Sequence, residues 1–151
     1  LLHAAASAAV GQIEDLAPRD LAILATALAR AGREEGALFS IIAHRALHQL
    51  RSAERQGAPP AMQFNARDVA QLLAALAHFR YEDQALLSAL ARRAEVCLGT
   101  YDAKARDIVL WSLSELGAEK LCQGALAEAL LEYELKQGRA TERAREHLVL
   151  V

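Results

Sequence analysis

Between Phe64 and Ala94 the apolar positions recur with a helical period, twice over. Val69, Leu72, Leu73, Leu76 and Phe79 fall at i, i+3, i+4, i+7 and i+10, one stripe along an α-helix. A polar break follows at Arg80-Tyr81-Glu82-Asp83, and Leu86, Leu87, Leu90 and Ala94 lay a second stripe of the same period. Neither helix can bury its stripe alone, so the two are expected to pack on each other as a helical hairpin closed by a tight turn. The pattern predicts an all-α chain.

The hairpin recurs along the chain. The dipeptide Arg-Asp opens a first helix at Arg19-Asp20, Arg67-Asp68 and Arg106-Asp107, with Asp68 48 positions after Asp20 and Asp107 39 after Asp68. Second helices recur as EGALFSIIAHRAL from Glu35, DQALLSALARRAE from Asp83 and QGALAEALLEYEL from Gln123, whose Leu38, Leu86 and Leu126 are 48 and 40 positions apart. The longer spacing contains RSAERQGAPPAMQ, with Gly57 and Pro59-Pro60. Setting aside about ten residues of it leaves a unit of roughly 37 to 40 residues, inside the range of about 33 to 47 found in helical solenoids. The expected architecture is an α-solenoid of stacked antiparallel helical hairpins, about seven helices in a right-handed array without β-sheet.

Taken in order, residues 1–17 read as the second helix of a preceding unit, 18–51 as a repeat, 52–63 as an inserted loop, 64–101 and 102–138 as two further repeats, and 139–151 as the start of another helix. Pro18 suits the first position of a helix, where its missing N–H costs nothing, and that helix is expected to stop near Gly32. Its partner runs from about Glu34 to Arg51. Arg51 to Gln63 should then leave as an extended arm, because Gly57 and Pro59-Pro60 interrupt a helix. Asn65 is a good N-cap with Asp68 three residues on. In the third unit the helices are expected at Asp102 to Leu116 and Glu119 to Gln137. LLHAAASAAVGQI at one end and Leu148 to Val151 at the other lack the polar face of a capping repeat. The expectation is an excerpt whose ends continue into further repeats or dock on a partner.

Composition narrows the function classes. Hydrophobic residues make up 54% of the chain and aromatic residues only 5%, so Ala and Leu, the strongest helix formers, supply the core. A net charge of −2 provides no global attraction to polyanions and leaves room for a local basic stripe. Cys97 and Cys122 are isolated thiols without framework spacing, which points to a reducing compartment. No apolar run reaches the roughly 18 residues of a membrane span, so no membrane partner is expected.

No glycine-rich phosphate loop, paired-carboxylate motif or Ser/His/Asp arrangement stands out, and the expectation is a non-enzymatic interaction surface with no cofactor. The Arg-Asp pairs have two readings. In one, Asp20, Asp68 and Asp107 complement the dipoles of their helices while each Arg is solvated or pairs between repeats. In the other, Arg19, Arg67 and Arg106 line one edge and meet phosphates; an adjacent Asp cancels part of each Arg's field, which weights the first. His44 and His48 have a zinc-compatible i, i+4 spacing but no third ligand nearby, and read as a surface pair with no metal. Trp111 and Phe79 could stack on bases, yet both lie on apolar stripes, where core packing is the default. Cys97 and Cys122 read as small buried residues, and Glu115, Glu119, Glu128, Glu132 and Glu134 as a solvated face.

The restart segments resemble the octotricopeptide and heptatricopeptide repeat families, α-solenoids of paired helices from organelles. Leu16-Ala17-Pro18-Arg19-Asp20-Leu21-Ala22 and Phe64-Asn65-Ala66-Arg67-Asp68-Val69-Ala70 match the opening of their first helix. LATALARAG from Leu24, LLAALAHFR from Leu72 and LWSLSELG from Leu110 match the run that follows. The Gln and Asn of that opening are replaced here by Arg19, Ile23, Arg67 and Gln71. The resemblance implies binding of organellar RNA, ribosomal or messenger, within a large ribonucleoprotein assembly such as a mitochondrial ribosome, with neighbouring proteins as further partners and the mitochondrial matrix or another organelle interior as location. Candidates for the RNA-binding groove are Arg19, Arg30, Arg33, Arg67, Gln71, His78, Arg80, Lys104 and Arg106. The competing class is a protein–protein scaffold of the same architecture. RNA binding requires a basic groove on the first-helix face, and a scaffold requires an apolar or acidic one.

Overall fold

The structure, a computed structural model, describes residues 16–32, 36–57 and 63–138. Among these the chain is all-helical, with six α-helices and no strand: α1 Pro18–Arg30, α2 Gly36–Gln56, α3 Ala66–Phe79, α4 Gln84–Cys97, α5 Ala103–Glu115 and α6 Gly124–Lys136. Short 3-10 turns occupy Leu98–Thr100 and Glu119–Leu121. The helices expected in residues 1–15 and 139–151, and the Pro59-Pro60 break, lie outside the described residues.

Helix starts follow from capping chemistry. Pro18 opens α1 and Asp20 stands in its first turn. At α3 the Asp68 N–H donates to Asn65 Oδ1 at 2.8 Å and the Asn65 N–H donates to Asp68 Oδ2 at 3.2 Å, a reciprocal capping box. Asp83 and Asp102 each accept one backbone N–H at the starts of α4 and α5. The first helices end on residues in the left-handed region, Gly32, Arg80 and Gly117, with φ of 64°, 51° and 62°. Arg80 takes a conformation that favours glycine, and its N–H and that of Tyr81 close the helix onto Ala77 and Leu76.

Two expected boundaries move. α2 continues to Gln56, so the first part of the expected arm is helical. Its sequence there, Ser-Ala-Glu-Arg-Gln, tolerates a helix, and Glu54 pairs with Arg92 of α4 at 3.1 Å. The helix gives way at Gly57, φ 59°. In the third unit Glu119–Leu121 is only a 3-10 turn, and the second helix begins at Gly124.

Packing pairs each hairpin and also links helices of the same rank. α1 contacts α2, α3 contacts α4, and α5 contacts α6; in addition α1, α3 and α5 adjoin in that order, as do α2, α4 and α6. The most extensive contact is α1 on α3, where Ala22, Ala25, Ala70 and Ala75 are buried and allow the backbones to approach closely. Leu21, Ile42, Leu72, Leu73, Leu76, Leu86, Leu90, Leu113 and Leu126 fill one continuous core. Leu24 and Leu28 are half-buried and pack against the margin of this core. Glu134, expected on a solvated face, is 3% exposed, being one helical step beyond Leu126 and Leu130 on the inward side of α6.

Long-range polar bonds tie helices and their connections together. Tyr101 Oη donates to the Ala66 carbonyl at 2.7 Å, and Arg93 Nε donates to the Phe64 carbonyl at 2.7 Å. Gln49 Nε2 donates to the Leu16 carbonyl at 2.7 Å. Phe39 of α2 packs edge-on against Phe79 and Tyr81, with ring centroids 4.9 and 5.3 Å apart. Phe79 therefore belongs to the core margin.

Candidate functional site

The left-handed stops set the register of the first helices. Gly32 to Arg80 is 48 positions and Arg80 to Gly117 is 37, and the N-caps Asn65 and Asp102 are likewise 37 apart. In that register Lys104, not Arg106, is the counterpart of Arg19 and Arg67. The dipeptide Arg106-Asp107 lies past the first turn of α5, and Arg106, half-buried, occupies the position of the buried Leu21 and Val69. The reading in which Arg-Asp opens each first helix, with Arg19, Arg67 and Arg106 in equivalent places, is therefore corrected at its third member. The Asp102 cap and the Gly117 stop, not the dipeptide, define that helix.

Four rows then run across the three helices at i, i+4, i+7 and i+11, one face of each. They are Arg19, Arg67 and Lys104; Ile23, Gln71 and Ile108; Thr26, Ala74 and Trp111; and Arg30, His78 and Glu115. The first row is basic and exposed throughout. Ile23 and Ile108 are 48% and 38% exposed, unusual for isoleucine.

This face is concave. A groove of about 770 Å³ lies over α3, floored by Ala66, Ala70 and Ala74, with Thr26 and Arg30 of α1 on one side and Ile108 and Trp111 of α5 on the other. Two smaller depressions, about 470 and 250 Å³, adjoin it and share Arg67 and Gln71 with it; the smallest also takes in Arg19 and Asp68. Small side chains on α3 floor the valley, and Ala74 stands where α1 carries Thr26 and α5 carries Trp111.

Of the nine residues expected in the groove, Arg19, Arg30, Arg67, Gln71 and His78 line it or its extensions. Lys104 is exposed in the same register. Arg80 is exposed in the turn after α3 and Arg106 sits off the face; neither lines the depressions. Arg33 lies outside the described residues. Ile23, Thr26 and Ile108 line these depressions without standing among the sequence candidates, and so does Trp111, for which core packing was the default expectation; isoleucine four residues after a basic residue, off the buried stripe, is the sequence signal of this face.

Electrostatics within the groove are graded. Asp68 is almost fully buried, and burial raises its pKa; the Asn65 backbone N–H and the Arg19 and Arg67 guanidinium groups oppose that rise. The carboxylate acts on the capping box and leaves the exposed Arg19 and Arg67 to face solvent. Elsewhere, His44 and His48 are exposed on α2, and no cluster of three metal-ligating side chains occurs among the described residues. Cys97 and Cys122 are buried, and burial raises both thiols, Cys122 to about 12 with Glu119, Glu134 and Glu95 adding to the rise. Such thiols are poor nucleophiles. Among the described residues no helix is long and apolar enough to cross a membrane.

Compared with known proteins, the chain matches no family model, no curated protein and no solved structure.

Proposed function

We propose that the chain is a non-enzymatic α-solenoid of stacked helical hairpins that binds single-stranded RNA across the face of α1, α3 and α5. What carries this reading is the row of Arg19, Arg67 and Lys104, one basic side chain from each first helix in the same register, beside an alanine-floored groove. Repeated cations at equivalent positions suit a ligand with repeated anions, and phosphate contacts supply most of the affinity for nucleic acid. The net charge of −2 provides no global attraction to polyanions, so binding depends on local cations such as these. The resemblance to octotricopeptide and heptatricopeptide repeats supports the same class, with a ribonucleoprotein assembly such as a mitochondrial ribosome as its setting and an organelle interior as its location.

The test is binding of a fluorescein-labelled twelve-nucleotide RNA, followed by anisotropy over a range of salt. Four phosphate contacts through Arg19, Arg30, Arg67 and Lys104 give a slope of log K on log salt of about −3 for a single strand. Replacing Arg19, Arg67 and Lys104 together by Gln should weaken binding and reduce that slope by about 2. Unchanged affinity in the triple variant would overturn the reading. The alternative is a protein–protein scaffold of the same architecture, favoured by the exposure of Ile23 and Ile108, which a protein partner would cover. In that case RNA fails to bind, and Ile23→Lys abolishes association with the assembly.

A further inference from the structure

Gln71 and Trp111 break the repetition of the two middle rows of the groove face, and they come from adjacent helices. Gln71 stands where α1 and α5 carry Ile23 and Ile108, and Trp111 stands where α1 and α3 carry Thr26 and Ala74. Both line the groove of about 770 Å³. Trp111 packs one part of its indole on the core and turns the rest to the groove, across from the alanines of α3. The Gln71 amide, half-buried, makes no hydrogen bond among the described residues, so its donor and its acceptor both remain for a ligand.

We propose that Gln71 and Trp111 form one base-reading subsite, selective for adenine, in a groove that otherwise binds RNA without regard to sequence. This rests on the RNA-binding reading above. An indole face stacks on any base and holds the larger purine rings best. The amide then separates the two purines. Adenine presents an amino donor at N6 beside the N7 acceptor, which the Gln71 carbonyl and N–H match together; guanine presents two acceptors on that edge, O6 and N7, and calls for Arg. Ile23 and Ile108, at the equivalent positions of the flanking units, have no polar side-chain atom with which to read a base. One nucleotide is therefore read per bound strand, and the basic row holds the rest through phosphate.

The chain has a single tryptophan, so its emission reports on the subsite directly. The experiment titrates the full chain with a twelve-nucleotide uridine oligomer and with the same oligomer carrying one central A, G or C, following anisotropy of the RNA and emission of Trp111. The expected result is about tenfold tighter binding of the A-containing strand, accompanied by quenching that the all-uridine strand does not match. Gln71→Leu should bring the A-containing and all-uridine strands within about twofold of each other. Trp111→Leu should weaken the A-containing strand about tenfold. Quenching in the unaltered chain supplies a readout that does not depend on either variant folding. Equal binding of all four strands, or an adenine preference that survives Gln71→Leu, overturns the subsite while RNA binding itself stands. Failure of every strand to bind overturns both.

Discussion

Asp68 shows how one carboxylate can serve a helix while working against its own charge. It closes the α3 capping box, yet it is almost fully buried, and burial outweighs the Asn65 N–H and the Arg19 and Arg67 charges in setting its pKa above 3.8. The folded state therefore holds the proton more tightly than the unfolded one. Its contribution to stability is fully present below 3.8 and is lost as pH rises through the raised folded value. Asp68→Asn keeps an acceptor for the Asn65 N–H and removes the charge. Urea unfolding should show it at least as stable as the parent at neutral pH, with its advantage shrinking as pH falls. Asp68→Ala removes the acceptor as well and should cost about 1–2 kcal/mol. An Asn variant as destabilised as the Ala variant would mean that the charge itself holds the cap.

At the scale of the element, α6 owes its start to another helix. Gln123 makes no side-chain cap, and the Ala125 and Leu126 N–H groups donate instead to Glu95 of α4, at 3.2 and 2.6 Å. Gly124 makes room for that carboxylate: its φ is 56°, and a Cβ there would lie 2.7 Å from Glu95 Oε1. Gly124→Ala should destabilise by about 2–3 kcal/mol, combining left-handed strain of about 1–2 kcal/mol with loss of the cap. Glu95→Ala should cost about 1–2 kcal/mol. Thermal unfolding of the double variant should fall short of the sum, because the methyl group introduced by Gly124→Ala has already displaced the Glu95 carboxylate. Strict additivity would show that the two do not act on the same helix end.

Across the whole molecule, the two thiols report on how the helices hold together. Cys97 closes α4 and Cys122 precedes α6, both buried; the Cys122 thiol donates to the Ala118 carbonyl at 3.4 Å. Reaction with a disulfide reagent near pH 8 should be at least about a hundredfold slower than for a free thiol, and both should react at once in denaturant. Because burial raises Cys122 from 9.0 to about 12, its contribution to stability is present below pH 9 and is lost as pH climbs through 12. Rapid labelling of the native chain at neutral pH would show that the second helices separate easily.

Much of this was written into short stretches of chain. The helical stripes from Val69 to Phe79 and Leu86 to Ala94, the Asn65 cap with Asp68, Pro18 at a helix start and glycine after α1 all depend on residues within a few positions of one another. Periodicity, capping and backbone preference act over that range, so the sequence alone determined an all-helical chain of hairpins. It also placed Arg19, Arg30, Arg67, Gln71 and His78 among the groove candidates. The rest was decided by contacts between helices tens of residues apart. Lys104 replaces Arg106 in the basic row because packing of α5 on α3 follows the cap and the left-handed stop, not a recurring dipeptide. Glu95 becomes the cap of a helix about 30 residues away, and Trp111 faces a valley that exists only because α3 presents alanines between two neighbours. Local sequence determines which face of a helix is apolar, but only tertiary packing determines which of its residues a neighbour leaves uncovered.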